Sequence, residues 1–154
     1  MFSRYSCVRH RFYRYLSLQR KLHPDLFQTK PRELQDIAQE QSTIVNDSYR
    51  TLSSPYERSK LILSIDGYDV GEEGTTLSDP ELLMEIMDVR ERIELAATEE
   101  ELEDIGKKNA ENIEKALKSL EASHKCGDLG AACRWTIRLR YLNTIRNEVY
   151  DLVD

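Results

Sequence analysis

Apolar residues recur at three- and four-residue spacing along almost the whole chain, and nowhere does an alternating, period-two pattern take over. That spacing gathers apolar side chains on one side of a helix and disfavours a half-buried sheet, so the chain reads as all-α. Val8, Phe12, Tyr15, Leu16, Gln19 and Leu22 share one side of a first helix over 4–22, with Arg11, Arg14, Arg20 and Lys21 mostly elsewhere. Pro24 stops that helix, because a proline biases the preceding residue, His23, away from helical backbone. Pro31 suits a first helical turn. From there Leu34, Ile37, Gln41, Ile44, Val45, Ser48, Tyr49 and Leu52 form a stripe to about residue 52. Ser53, Ser54 and Pro55 break it, and a short helix follows over 55–65.

Residues 66–76, DGYDVGEEGTT, hold three of the six glycines and no stripe. They read as a linker, giving an N-terminal domain over 1–65, a connection over 66–77 and a C-terminal domain over 78–154. The second half reads as three longer helices. Ser78 with Glu81 is a capping box, with Pro80 in a first-turn position, and Thr98 with Glu101 is a second box. Leu82, Ile86, Val89 and Ile93 are the expected core stripe of the first; Leu102, Ile105, Ile113, Ala116, Leu117 and Leu120 of the second. After CGDLG at 126–130, Trp135, Leu139, Leu142, Val149 and Leu152 serve the third. Three amphipathic helices with short connections pack as an antiparallel bundle.

Net charge is −6, which argues against a dedicated nucleic-acid binder. No apolar run reaches membrane-spanning length. The charge is unevenly placed: six basic side chains and no acidic one precede Asp25. Such an arginine- and serine-rich, acid-free start also has the composition of a mitochondrial presequence. Three cysteines, Cys7, Cys126 and Cys133, make an odd number without close pairs, which points to free thiols in a reducing compartment. Cys7 with His10, and His124 near Cys126, have no second pair at finger spacing, so no metal site is expected.

Two places carry chemistry. In LQRKLHPDLF, residues 18–27, a basic helix runs into a loop that presents His23, an imidazole with two ring nitrogens, and Asp25, a compact acceptor for a bidentate arginine. The second is the helix from Pro80. Leu83, Met84 and Met87 make an apolar patch about a third of a turn or more from its core stripe, bordered by Asp88 and Glu91. On the last helix Ile137 and Tyr141 likewise flank the core stripe. A wide core face and a partner surface both explain such patches.

The HPD loop after a basic helix resembles the J domain of J-type co-chaperones. LQRKLHPDLF, VNDSYRTLSSPYERSKLILSIDGYDV, LMEIMDVRERIE and LRYLNTIRNE, spanning 18 to about 148, together resemble the HscB-type co-chaperones of iron–sulfur cluster assembly. The resemblance implies a J domain built as a helical hairpin around the HPD loop, with the family's first helix missing, and a C-terminal three-helix bundle. It implies that His23, Pro24 and Asp25, with Arg20 and Lys21, meet a DnaK-type ATPase chaperone. It implies that Leu83, Met84, Met87, Asp88, Glu91 and Tyr141 grip an iron–sulfur cluster scaffold protein. ATP hydrolysis would be the partner's chemistry, so no enzyme and no cofactor are expected, and the setting would be the mitochondrial matrix, or the cytoplasm of a bacterium. The competing readings are a helical structural or assembly subunit and a J protein with another client.

Overall fold

The computed structural model describes residues 4–70 and 80–153, with side chains from residue 9 onward. Most of the expected linker and the Ser78 cap lie outside the described residues. Those described form six α-helices and one short 3-10 turn, without a strand: α1 (Arg4–Leu22), the turn Pro24–Phe27, α2 (Arg32–Ser53), α3 (Pro55–Ile65), α4 (Pro80–Leu95), α5 (Glu99–Cys126) and α6 (Leu129–Val153). They divide into two compact units, 1–58 and 59–154, so the division falls within α3.

In the first unit α1 and α2 form a hairpin. The Tyr15 and Tyr49 rings stack at 4.2 Å, and Tyr15 Oη and Gln19 Nε2 both donate to Asn46 Oδ1, at 3.1 and 2.5 Å. Leu52 O, one of the carbonyls left over at the end of α2, accepts from the guanidinium groups of Arg11 and Arg58. Arg11, placed off the apolar side of α1 by periodicity, is half-buried with its guanidinium at the α2 C-terminus. Among the described residues of this unit, those buried are Ala38 and Ser42, both small. Leu34, Ile37, Ile44 and Leu52 from the expected α2 stripe are exposed, and so is Phe12 on α1. Two helices cover only part of each other's apolar arc, and here α1 lies over the Ser42–Tyr49 side of α2.

The second unit is built around α6. Ala132, Cys133, Thr136, Ile137, Leu139, Leu142, Ile145 and Val149 are all buried, and at 100° per residue they point round its whole circumference. A helix apolar all round is a central helix. Its pairing with α5 is antiparallel: Gly106 faces Val149, and Asn109 Nδ2 donates to Leu142 O at 2.9 Å nearer the other end of each helix. With α4 it is parallel, since Glu85 pairs with Arg138 and Arg90 with Glu148. Ile93, Ile105, Ile145 and Val149 pack together, with Val89 and Leu102 at the edge. Ile137 is core, at 5% exposure, so on α6 the wide-core explanation holds; Leu152, expected in the core stripe, is exposed because it falls in the last turn.

The end caps follow local chemistry. Thr98 accepts from the Glu101 backbone N–H while the Glu101 carboxylate accepts from the Thr98 N–H, completing the box. Gly127 ends α5 at φ 75°, a left-handed position that suits glycine. Asp66 to Val70 also cap a helix: Tyr68 N–H returns to Leu63 O at 2.9 Å, Gly67 has φ 82°, and Val70 is buried.

A buried hydroxyl chain fastens α3 to the helices of this unit. Ser59 Oγ lies 2.8 Å from His124 Nε2 and 2.7 Å from Thr136 Oγ1, which in turn donates to Ala132 O. A carbonyl can only accept, so the Thr136 proton is committed to it. Ser59 must therefore donate to Thr136, and its remaining lone pair accepts from His124. That requires the proton on Nε2.

The contrast in burial gives an expected order of stability. Amides of α1 and α2 should exchange hydrogen markedly faster than those of α5 and α6, because the first unit buries no large apolar side chain among those described. Exchange followed by peptide mass spectrometry measures this; equal protection in the two units would contradict it. Thiol reactivity tests the second unit. Burial pushes the Cys133 thiol pKa up, only partly opposed by the Arg134 charge, whereas Cys126 is exposed. An alkylating reagent at neutral pH should label Cys126 in the native protein and reach Cys133 only on unfolding.

Candidate functional site

The first candidate surface is the loop at the tip of the α1–α2 hairpin. α1 ends where His23 N–H closes onto Gln19 O at 2.9 Å; the proline then forces His23 to ψ 128°. The next four residues wind into a 3-10 turn, with Leu26 N–H bonded to His23 O at 3.0 Å. Gln35 Nε2, reaching back from α2, holds the carbonyls of Gln28 and Lys30 at 3.2 and 2.9 Å. Gln28 Nε2 donates to Asp25 Oδ1 at 3.2 Å. The backbone of the loop is thus braced while its functional groups stay outside: His23 and Asp25 side chains are 54% and 70% exposed.

His23 Nδ1 has two neighbours at Asp25, the backbone N–H at 3.3 Å and carboxylate Oδ2 at 3.5 Å. One nitrogen cannot accept from the first and donate to the second. The carboxylate distance is long for a charge-assisted bond, so the backbone contact decides. Nδ1 is then the acceptor, and Nε2 carries the proton. Arg20 and Lys21, in the last turn of α1, are exposed and have no ionic partner among the described residues. Their charge is also favourable at that helix end.

The second surface is on α4. Leu82, Ile86 and Ile93 are buried and Val89 half-buried, as the core stripe requires. Met84 and Met87 are 66% and 69% exposed and lie roughly half a turn from that stripe, on the side facing directly away from the bundle. Leu83 stands between, at 40%. Asp88 and Glu91 are exposed beside the methionines. The wide-core explanation therefore fails for Met84 and Met87, which are largely uncovered among the described residues. Tyr141 is on the neighbouring helix, half-buried. The ion pairs Glu85–Arg138 and Arg90–Glu148 bracket it along α6, which puts it at the level where α6 meets α4. Arg140 stacks over its ring, 4.9 Å from the centroid. Periodicity did not single out Arg138 or Arg90, because pairing across helices leaves no mark on the sequence of either one.

No group of three His, Cys, Asp or Glu that could hold a metal occurs among the described residues. No helix among them is long and apolar enough to cross a membrane.

A braced HPD loop on one helical unit and an outward apolar–acidic face on another are the two candidate surfaces of an all-helical chain. Comparison with known proteins gives the particular family. Residues 78–150 match the HSCB C-terminal oligomerisation domain. The chain is 29% identical to the mouse iron-sulfur cluster co-chaperone protein HscB over 137 residues, 89% of this chain and 58% of that protein. It is 34% identical to the mitochondrial J-type co-chaperone jac1 of Schizosaccharomyces pombe over 139 residues, 90% of this chain and 60% of that one. The chain thus spans about 60% of the length of these curated relatives. The crystal structure of human HscB superposes with a TM-score of 0.84 at 26% identity, covering 91% of this chain and 71% of the human one. The Vibrio cholerae chaperone HscB gives 0.81 at 29%, covering 92% and 86%. These matches in sequence and in fold support the HscB-type family.

The two kinds of apolar residue on the bundle should respond differently to truncation. Met84→Ala and Met87→Ala should each change stability by no more than about 0.5 kcal/mol, as exposed sites do. Ile137→Ala should cost about 2–5 kcal/mol, the range for an emptied core position. Thermal or urea unfolding of the three variants separates them; a methionine variant as unstable as the Ile137 one would return Met84 and Met87 to the core.

Proposed function

We propose that this chain acts as a J-type co-chaperone in iron–sulfur cluster biogenesis, binding a cluster scaffold protein on the α4–α6 face and presenting it to a DnaK-type ATPase. The observation that carries the reading is the exposure of Met84 and Met87 directly opposite the core stripe of α4. A J protein with an unrelated client has no need of an apolar face with an acidic border there. Methionine suits the role, because its unbranched thioether adapts to a partner's contour. Leu83, Met84, Met87 and Tyr141 supply the apolar centre, and Asp88 and Glu91 the polar rim, the usual anatomy of a protein interface.

At the other surface, His23, Pro24 and Asp25 engage the chaperone, with Arg20 and Lys21 steering an acidic patch of it toward the loop. The chain supplies contacts and no reacting group; the ATP and its hydrolysis belong to the partner. The names of the mouse and fission-yeast relatives support the iron–sulfur and co-chaperone parts of this reading, and the latter's name supports a mitochondrial setting.

The two surfaces should be separable. His23→Gln should abolish stimulation of the chaperone's steady-state ATPase while leaving scaffold affinity unchanged, since His23 and α4 lie on different compact units. Conversely, Leu83→Ala with Met87→Ala should weaken scaffold binding by about 2 kcal/mol or more, the typical cost of truncating anchor residues. Full ATPase stimulation by the His23 variant would remove the loop from the mechanism. Undiminished scaffold binding by the α4 variant would remove the face.

A further inference from the structure

The chain has three methionines, and the two internal ones, Met84 and Met87, sit three residues apart on one exposed face. The buried apolar residues of the second unit are leucine, isoleucine, valine, alanine and Cys133, with no methionine among them. Thioether sulfur is thus absent from the packing and concentrated on the α4 surface. At 66% and 69% exposure, both side chains are within reach of a small oxidant without any opening of the helix or the bundle.

We propose that Met84 and Met87 form a paired, reversible oxidation site that switches the α4 face off as a docking surface. The inference rests on the reading of that face as the scaffold-binding surface. The oxidant is a peroxide. The thioether sulfur attacks one peroxide oxygen, the O–O bond breaks, an S=O bond forms, and the other oxygen leaves as water. Sulfur loses two electrons and the peroxide gains them. The product is a polar sulfoxide where an apolar thioether had been. Docking would then require stripping water from two S=O groups that an apolar partner surface cannot satisfy, and each such group carries a desolvation penalty. Because the pair faces away from Leu82, Ile86 and Ile93, the fold does not share that penalty. A thiol-dependent methionine sulfoxide reductase reverses the change, using the same exposure that admitted the oxidant.

The test uses the full chain, hydrogen peroxide and a purified iron–sulfur scaffold protein, with a Met84→Leu/Met87→Leu variant alongside. Leucine keeps the face apolar and cannot form a sulfoxide. Both proteins share the same three cysteines, so thiol oxidation cannot produce a difference between them. After treatment, peptide mass mapping should find one added oxygen on each methionine and an unchanged thermal midpoint. Treated wild type should bind the scaffold about tenfold or more weakly, the scale expected when anchors of an interface are compromised. Leu83 and Tyr141 lack thioethers, so binding is reduced and not erased. Whatever its starting affinity, the leucine variant should bind the same before and after treatment, and the two epimer-specific reductases together should restore the wild type. Treated wild type that binds as tightly as untreated, with both methionines oxidised, overturns the switch alone. An equal loss in the leucine variant, or a lowered thermal midpoint of the treated wild type, also overturns it. If untreated wild type does not bind the scaffold, the functional reading of the face fails and the switch falls with it.

Discussion

Burial of α6 on all sides is the constraint from which the C-terminal unit follows. Its buried residues are spread round the helix, so more than one flank must be covered by another helix. α5, 28 residues long, covers one flank, and its own outer face is left to lysine–glutamate pairs at i, i+4 such as Lys107–Glu103 and Lys125–Glu121. Such exposed pairs contribute little to stability and mainly keep that face soluble. α4 covers another flank with a narrow stripe, Leu82, Ile86 and Ile93. A narrow stripe suffices because the apolar bulk is already on α6. This frees the opposite side of α4, and Met84 and Met87 occupy it.

The HPD loop rests on a different kind of support. It has no buried core of its own. Proline ends α1, His23 turns the chain, and Gln35 holds two loop carbonyls from outside. The support is hydrogen bonding to backbone, which fixes the path of the loop while leaving the imidazole and carboxylate in solvent. The α1–α2 hairpin below it is poorly filled, with aromatic stacking and amide contacts in place of large aliphatic packing.

Much of this was legible in the sequence, and the exceptions share a cause. Helix ends were legible because they are set locally: α1 and α3 begin and end where periodicity and proline placed them, and the Thr98 box closed α5 as read. The core stripe of α4 was legible because a helix packed on one side shows its period plainly. Ile137 could not be assigned between core and partner surface, because a helix buried on several sides shows no single stripe. Phe12, Leu34 and Ile44 sit on genuine stripes yet are exposed, since a stripe records what a helix can bury and not what lies against it. The polar chain of Ser59, His124 and Thr136 was invisible for another reason: its members are far apart in sequence, and hydroxyls look alike whether buried or not.

On the functional reading proposed, charge keeps the two partners apart. The cations of α1 stand on one compact unit and the carboxylates of α4, Asp88 and Glu91, on the other. A partner with an acidic surface is drawn to the first and repelled by the second, and a basic-rimmed partner the reverse. Long-range sign therefore sorts the two before any apolar contact forms, and the contacts at each site need only be good enough to hold. Modest apolar anchors such as methionine, ringed by solvated charge, can give specificity through encounter and repulsion without binding too tightly to let go.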